Sequence, residues 1–245
     1  MKRRNSNVIK VTVISLYTLV SFKLFGYNID DMKKYCKIKN LQFYVEDDRN
    51  YEKVVEMAAE WNNEYENIFD KHLGEIDIYI YKDYQSFGEK VWSSSNPDYG
   101  QISGAAHPFE NKVYLVSYYE SESIDTIKHE LVHLYVKPNY YRSKTYWIFE
   151  GTAEYFSNRI TIKYFHYLPE KYEEIYIRTN NSADRKRNYQ ISGWIVKYIF
   201  ENLCSGNFDL FSTMLDEFEA GENFGYNSEV EFMSAWKNYM INRSN

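Results

Sequence analysis

The sequence runs to 245 residues, enough for one domain with a proper core or two closely packed lobes sharing a cleft. Hydrophobic residues make up 44% of it and charged residues 26%, the balance of a soluble globular chain rather than a disordered or membrane-embedded one. The net charge of −6, with no basic stripe in the body of the chain, argues against a nucleic-acid partner, because phosphate neutralisation needs a Lys/Arg-lined face.

Residues 1–30 begin with Lys2, Arg3 and Arg4 and continue into an apolar run. This pattern predicts an export signal or a membrane anchor, with the rest of the chain outside the cytoplasm. The uninterrupted stretch between Lys10 and Lys23 is only 12 residues, short of the roughly 20 that span a bilayer comfortably, so both outcomes stay open. From residue 36 onward the text reads as one domain, with a sheet lobe over 36–122 and a helical lobe over 123–245.

Leu41–Val45, Ile76–Tyr81 and the segment from Lys112 to Val116 carry the alternation or continuous β-formers of strands. A polar–apolar period predicts a helix from about Tyr51 to Phe69. After Ser123 the pattern is helical, with segments predicted over 124–136, 148–160, 189–204, 207–219 and 228–242. Runs of strands followed by runs of helices make the expected class α+β. Arg185, Lys186 and Arg187 read as a solvated loop. Cys36 and Cys204 form neither a disulfide framework nor a metal-binding pair; separate thiols, with Cys204 buried on a helix, are expected, and pairing across the fold stays open. The 26 tyrosines supply rigid packing surface with a polar tip.

The segment His129-Glu130-Leu131-Val132-His133 carries the chemistry. On a helix, positions i and i+4 share a face, so both imidazoles reach one metal ion, while Glu130 is turned by about 100° and sits beside it as a base for water. Ser123 is read as the N-cap of this helix, with Lys137 and Pro138 marking its stop. Ile124, Ile127, Leu131 and Leu134 form an apolar stripe opposite the histidines, and Val132 and Val136 flank the histidine face, as expected of a helix lining a cleft. A catalytic zinc takes three protein ligands and leaves a position open. The segment Trp147-Ile148-Phe149-Glu150-Gly151-Thr152-Ala153-Glu154 offers the third, with Glu150 and Glu154 one turn apart.

The His-Glu-x-x-His segment followed by Trp-x-x-Glu-Gly-x-Ala, with sixteen residues between His133 and Glu150, resembles the gluzincin metallopeptidases, in particular the peptidase MA-like domains. That resemblance implies a thermolysin-like catalytic domain and one zinc ion per chain. His129, His133 and Glu150 would be its ligands and Glu130 the general base, with a peptide or protein as substrate. It also implies that Glu154 orients a ligand histidine and that Tyr189, in Tyr189-Gln190-Ile191-Ser192, stabilises the oxyanion. Gly104, Ala105 and Ala106, with the strand from Lys112, resemble the loop and edge strand along which gluzincins lay an extended substrate. Two other readings stay open: a zinc hydrolase of a non-protein amide or ester, and a non-catalytic protein in which zinc staples two helices. His72, His107 and His166 have no partner at ligand spacing. Substrate specificity, endo or exo cleavage and oligomeric state are not legible in the residues.

Overall fold

Period-two alternation builds the first half of the molecule. The computed structural model describes residues 32–91, 103–117, 120–136, 146–161, 167–175 and 181–243. Five strands, β1 (Lys33–Ile38), β2 (Leu41–Val45), β3 (Ile76–Tyr81), β4 (Gly104–His107) and β5 (Lys112–Val116), form one mixed sheet in the order β1-β2-β3-β5-β4. β2, β3 and β5 are parallel, while β1 and β4 pair antiparallel at the two edges. Phe43, Ile78, Ile80, Val113 and Leu115 point to one face, where they join α1 (Glu52–Ile68) and the later helices in a single core. Tyr79, Tyr81, Tyr114 and Val116 point to the other, against α2 (Tyr84–Val91). Across that second face Tyr44, Tyr79 and Tyr114 stack with ring centroids 4.8 and 5.2 Å apart, so part of the tyrosine surplus is a sheet ladder.

Three of these elements lie outside the sequence expectations. The lysines of β1 (Lys33, Lys34, Lys37) mask its period, yet charge is what an exposed edge strand tolerates. The Gly-Ala-Ala-His of β4 has little intrinsic strand preference, and pairing with β5 imposes the state. The short α2 follows directly on β3 and was not anticipated.

The second half is helical, as expected: α3 (Glu120–Tyr135), α4 (Tyr146–Phe156), a 3-10 turn (Tyr172–Glu174), α5 (Ser182–Tyr198) running into a π turn (Ile199–Leu203), α6 (Phe208–Glu219) and α7 (Glu229–Arg243). Ser123 is not the N-cap of α3. It lies inside the helix, buried, with its hydroxyl 3.4 Å from the carbonyl of Val116. α5 likewise starts well before Tyr189, because the Asn181 side chain accepts from the backbone N–H groups of Ala183 and Asp184. Arg185, Lys186 and Arg187 are therefore helical rather than a loop, and Arg187 pairs with Asp184 at 2.9 Å, one turn away. α4 ends at Phe156, so Ile160 packs from beyond the helix.

Two devices set the helices against each other. A Cβ at Gly151 of α4 would sit 2.5 Å from the Ser192 carbonyl oxygen of α5, and one at Gly193 only 2.3 Å from Ile160 Cγ2, so glycine permits the approach. From α1, the Tyr65 hydroxyl reaches the carbonyls of Lys128 (3.3 Å) and Phe156 (3.4 Å), touching α3 and the end of α4 together. Lys71 Nζ donates to the carbonyls of Leu134 and Tyr135 at 3.0 and 3.2 Å, satisfying the C-terminus of α3. Cys36 and Cys204 are both free, the latter buried. The N-terminal segment 1–30, Lys137, Pro138 and His166 lie outside the described residues. Among the described residues no helix is long and apolar enough to cross a membrane.

Candidate metal centre

α3 presents His129 and His133 one turn apart, and their rings meet edge-on at 4.8 Å between centroids. Phe149 of α4 stacks on His133 at 4.0 Å and 13°, which fixes the rotation of that imidazole. Glu150, the next residue, then points its carboxylate at both rings. His129 Nε2 lies 3.2 Å from His133 Nε2 and 3.2 Å from Glu150 Oε2, and His133 Nε2 lies 3.5 Å from the same oxygen. All three residues are at most 4% exposed.

The triangle fits a metal ion. Tetrahedral bonds of about 2.0–2.1 Å place neighbouring donor atoms about 3.3 Å apart, and two imidazole nitrogens with one carboxylate oxygen are a donor set that zinc accepts. These three residues form the one cluster of His, Cys, Asp and Glu among the described residues with metal-holding geometry. Electrostatics point the same way. Burial disfavours a charged His129, yet the carboxylates of Glu150 and Glu154 beside it outweigh this and raise the pKa to about 9. Burial also works against an ionised Glu150, but His133 and His129 hold it well below the usual carboxylate range. The cluster thus favours positive charge between the imidazoles and the carboxylates.

Glu130 is buried against the sheet, at β4. A Cβ at Gly104 would fall 2.9 Å from both Cγ and Oε1 of Glu130 and 2.4 Å from Thr126 Cγ2, so β4 and α3 touch where β4 has no side chain. Ser103 Oγ and Thr126 Oγ1, 3.1 Å apart, fasten the same junction. Burial raises the Glu130 pKa against the pull of His129 and His133.

The expected substrate-side segment has a different layout. β4 is itself the edge strand, and the strand from Lys112, β5, is interior between β3 and β4. Gly104 is the seat of Glu130, Ala105 packs with the tyrosine face and Ala106 with the main core. The side chains of Ala105 and Ala106 are thus taken up by packing, which leaves the backbone edge of β4 as its outward feature.

Tyr189 lies two turns into α5, its ring 6.3 Å from that of His129. Burial and the nearby Glu150, Glu130 and Glu154 push its pKa well above the ordinary tyrosine value. Glu154 approaches the other side of His129, Oε1 to Nδ1 at 3.3 Å, within ion-pair range but without the alignment of a hydrogen bond. Burial raises the Glu154 pKa, and His129 and Arg159 outweigh it, leaving it lowered. His133 Nδ1 has no hydrogen-bond partner among the described residues.

Neither protein-family models nor curated proteins give a match to this chain. The site therefore rests on its own geometry.

The two other described histidines stay apart. His72 makes an exposed pair with Glu66 at 2.8 Å, and His107 packs edge-on to Tyr114 at 5.3 Å. Sequence reasoning missed Gln190, Phe149 as the ring beneath His133, and Gly104 as a spacer. An aromatic before Glu150 fits an ordinary core position equally well, and a glutamine beside Tyr189 carries no pattern that distinguishes it from a surface residue.

Proposed function

We propose that this chain is a gluzincin-like zinc hydrolase that cleaves peptide amide bonds, with a thermolysin-like arrangement of sheet edge and helices around the cleft. The observation that carries this reading is the buried triangle of His129, His133 and Glu150 together with a second buried carboxylate, that of Glu130, next to His129 in the chain. His129, His133 and Glu150 would hold a zinc ion, which would supply a Lewis acid to polarise a carbonyl and acidify water.

The rest is done by side chains of the chain. Glu130, whose burial raises its proton affinity, takes a proton from the attacking water at its carboxylate and returns it to the departing nitrogen. Tyr189 stays protonated and donates a hydrogen bond from its hydroxyl to the oxygen on which negative charge develops. Glu154 holds His129 from behind, and Phe149 holds His133. β4 is the outermost strand of the sheet among the described residues, and its backbone edge is where an extended chain would add, as in β-augmentation. The basic start and apolar run of residues 1–30 support a site of action outside the cytoplasm, which protease accessibility of a C-terminal tag on intact cells would test.

Metal analysis and two substitutions test the mechanism. The full chain is expected to hold one zinc, and His129→Ala or His133→Ala to lose it. Glu130→Gln should keep near-parental zinc and folding while peptide hydrolysis falls by at least about 10²–10⁴-fold. Glu150→Gln should lose both, because a neutral amide is the poorer ligand for a divalent cation. Zinc retained by both histidine variants would remove the site, and parental hydrolysis by Glu130→Gln would remove the mechanism. A panel including non-protein amides and esters separates peptide bonds from other acyl substrates.

A further inference from the structure

We infer that Gln190 is a positioning residue for the candidate centre: its amide holds Glu154 in the rotamer that faces His129, and through Glu154 it sets the orientation of one metal-bearing imidazole. This rests on the metal-site reading above.

The hydrogen bonds of Gln190 admit one orientation of its amide. The Thr161 backbone N–H can only donate, and it lies 2.6 Å from Gln190 Oε1, with the Thr161 hydroxyl 3.1 Å from the same oxygen. The amide nitrogen must then face the other way. It donates to Glu154 Oε2 at 2.7 Å and to the Arg159 carbonyl at 3.0 Å, so both of its hydrogens are used. Gln190 is only 6% exposed.

The consequence for Glu154 is a division of labour between its oxygens. Oε2 is taken by Gln190, which leaves Oε1 to face His129 Nδ1 at 3.3 Å and Arg159 Nε at 3.6 Å. Gly193 closes one side, since even a Cβ there would come within 3.0 Å of Glu154 Cβ. Without Gln190, Oε2 would be a buried carboxylate oxygen with no donor, and the half-exposed Arg159 would draw the side chain outward, away from the imidazole. A carboxylate behind a metal-bearing histidine fixes its tautomer and raises its basicity, so a misplaced Glu154 weakens the metal.

The test is a double-mutant cycle read as zinc affinity by chelator competition, alongside the imidazole nitrogen shifts of His129 in the metal-free protein. Gln190→Met keeps length and removes both hydrogen-bonding ends; Gln190→Glu keeps shape and turns a like charge on Glu154. Each is expected to lower zinc affinity by about tenfold, the lower end of the range for outer-shell partners, and to shift the His129 nitrogens. In a Glu154→Ala background Gln190→Met should have no further effect, because the group it acts through is gone. Additive losses in the cycle, unchanged affinity and nitrogen shifts, or loss of fold in both Gln190 variants would overturn the inference, the last by making Gln190 a mere bracket between helices. Absence of zinc from the parent, with His129 shifts still responding to Gln190→Met, would defeat the metal reading and leave the positioning role standing.

Discussion

The two halves of the molecule bury different things. Among the described residues before Ser123, the buried polar side chains are Gln42, Asn62 and Ser117, none of them charged. From Ser123 onward they include His129, Glu130, His133, Glu150 and Glu154. Burying an ionised group without a partner is strongly unfavourable, so five such residues in one small volume mark a place where something other than stability has set the composition. The sheet half is an ordinary apolar scaffold, and the helical half is organised around a cluster of charge.

Removing the proposed metal should break this contrast most visibly. A ligand at a thousand times its dissociation constant stabilises the folded state by about 4 kcal/mol, so chelation is expected to lower the thermal midpoint by that equivalent. Hydrogen exchange should rise in α3, α4 and α5 while β2, β3 and β5 keep their protection. Equal loss of protection in both halves would show that the charge cluster is not the separately weakened part.

A smaller effect sharpens the contrast from the other side. Ile78 is fully buried in the middle of β3, and Ile78→Val should cost about 1 kcal/mol in chemical denaturation. Zinc affinity per folded molecule should not change, since the scaffold supplies no ligand. The smallest effect belongs to a surface charge of the sheet half. Partial burial of Asp47 pushes its pKa up, but hydrogen bonds from Tyr51 and Arg49 outweigh this and hold it below 3.8. A depressed folded value means stability that is present above 3.8 and fades as pH falls through the folded value. Asp47→Asn should therefore be less stable than the parent at neutral pH, with the gap closing in acid; a gap that is constant with pH would assign the effect to packing instead.

How much was legible follows the same division. β2, β3 and β5 were readable because hydrophobic side chains at period two leave few alternatives, and α1 because its apolar face repeats at helical spacing. β1 and β4 were not, since an edge strand needs neither apolar residues nor high β-propensity once a neighbour offers hydrogen bonds. At the site, the i and i+4 spacing brought out His129 and His133, and the resemblance proposed Glu150, which the helix packing places beside them. Gln190 belongs to the part that the residues could not announce. It sits on a different helix from Glu154, and its use depends on the distance between two helix axes, which no local pattern encodes.

That distance has a visible regulator in Gly151. With the Ser192 carbonyl 2.5 Å from where its Cβ would stand, Gly151 acts as a gauge block between α4 and α5. Glu150 and Glu154 ride on one side of the block, Tyr189 and Gln190 on the other. Any side chain inserted at that point would widen the site as a whole, moving the hydroxyl and the amide of α5 away from the carboxylates of α4 by the same wedge. The width of the working volume is thus set by the one residue of α4 that has no side chain.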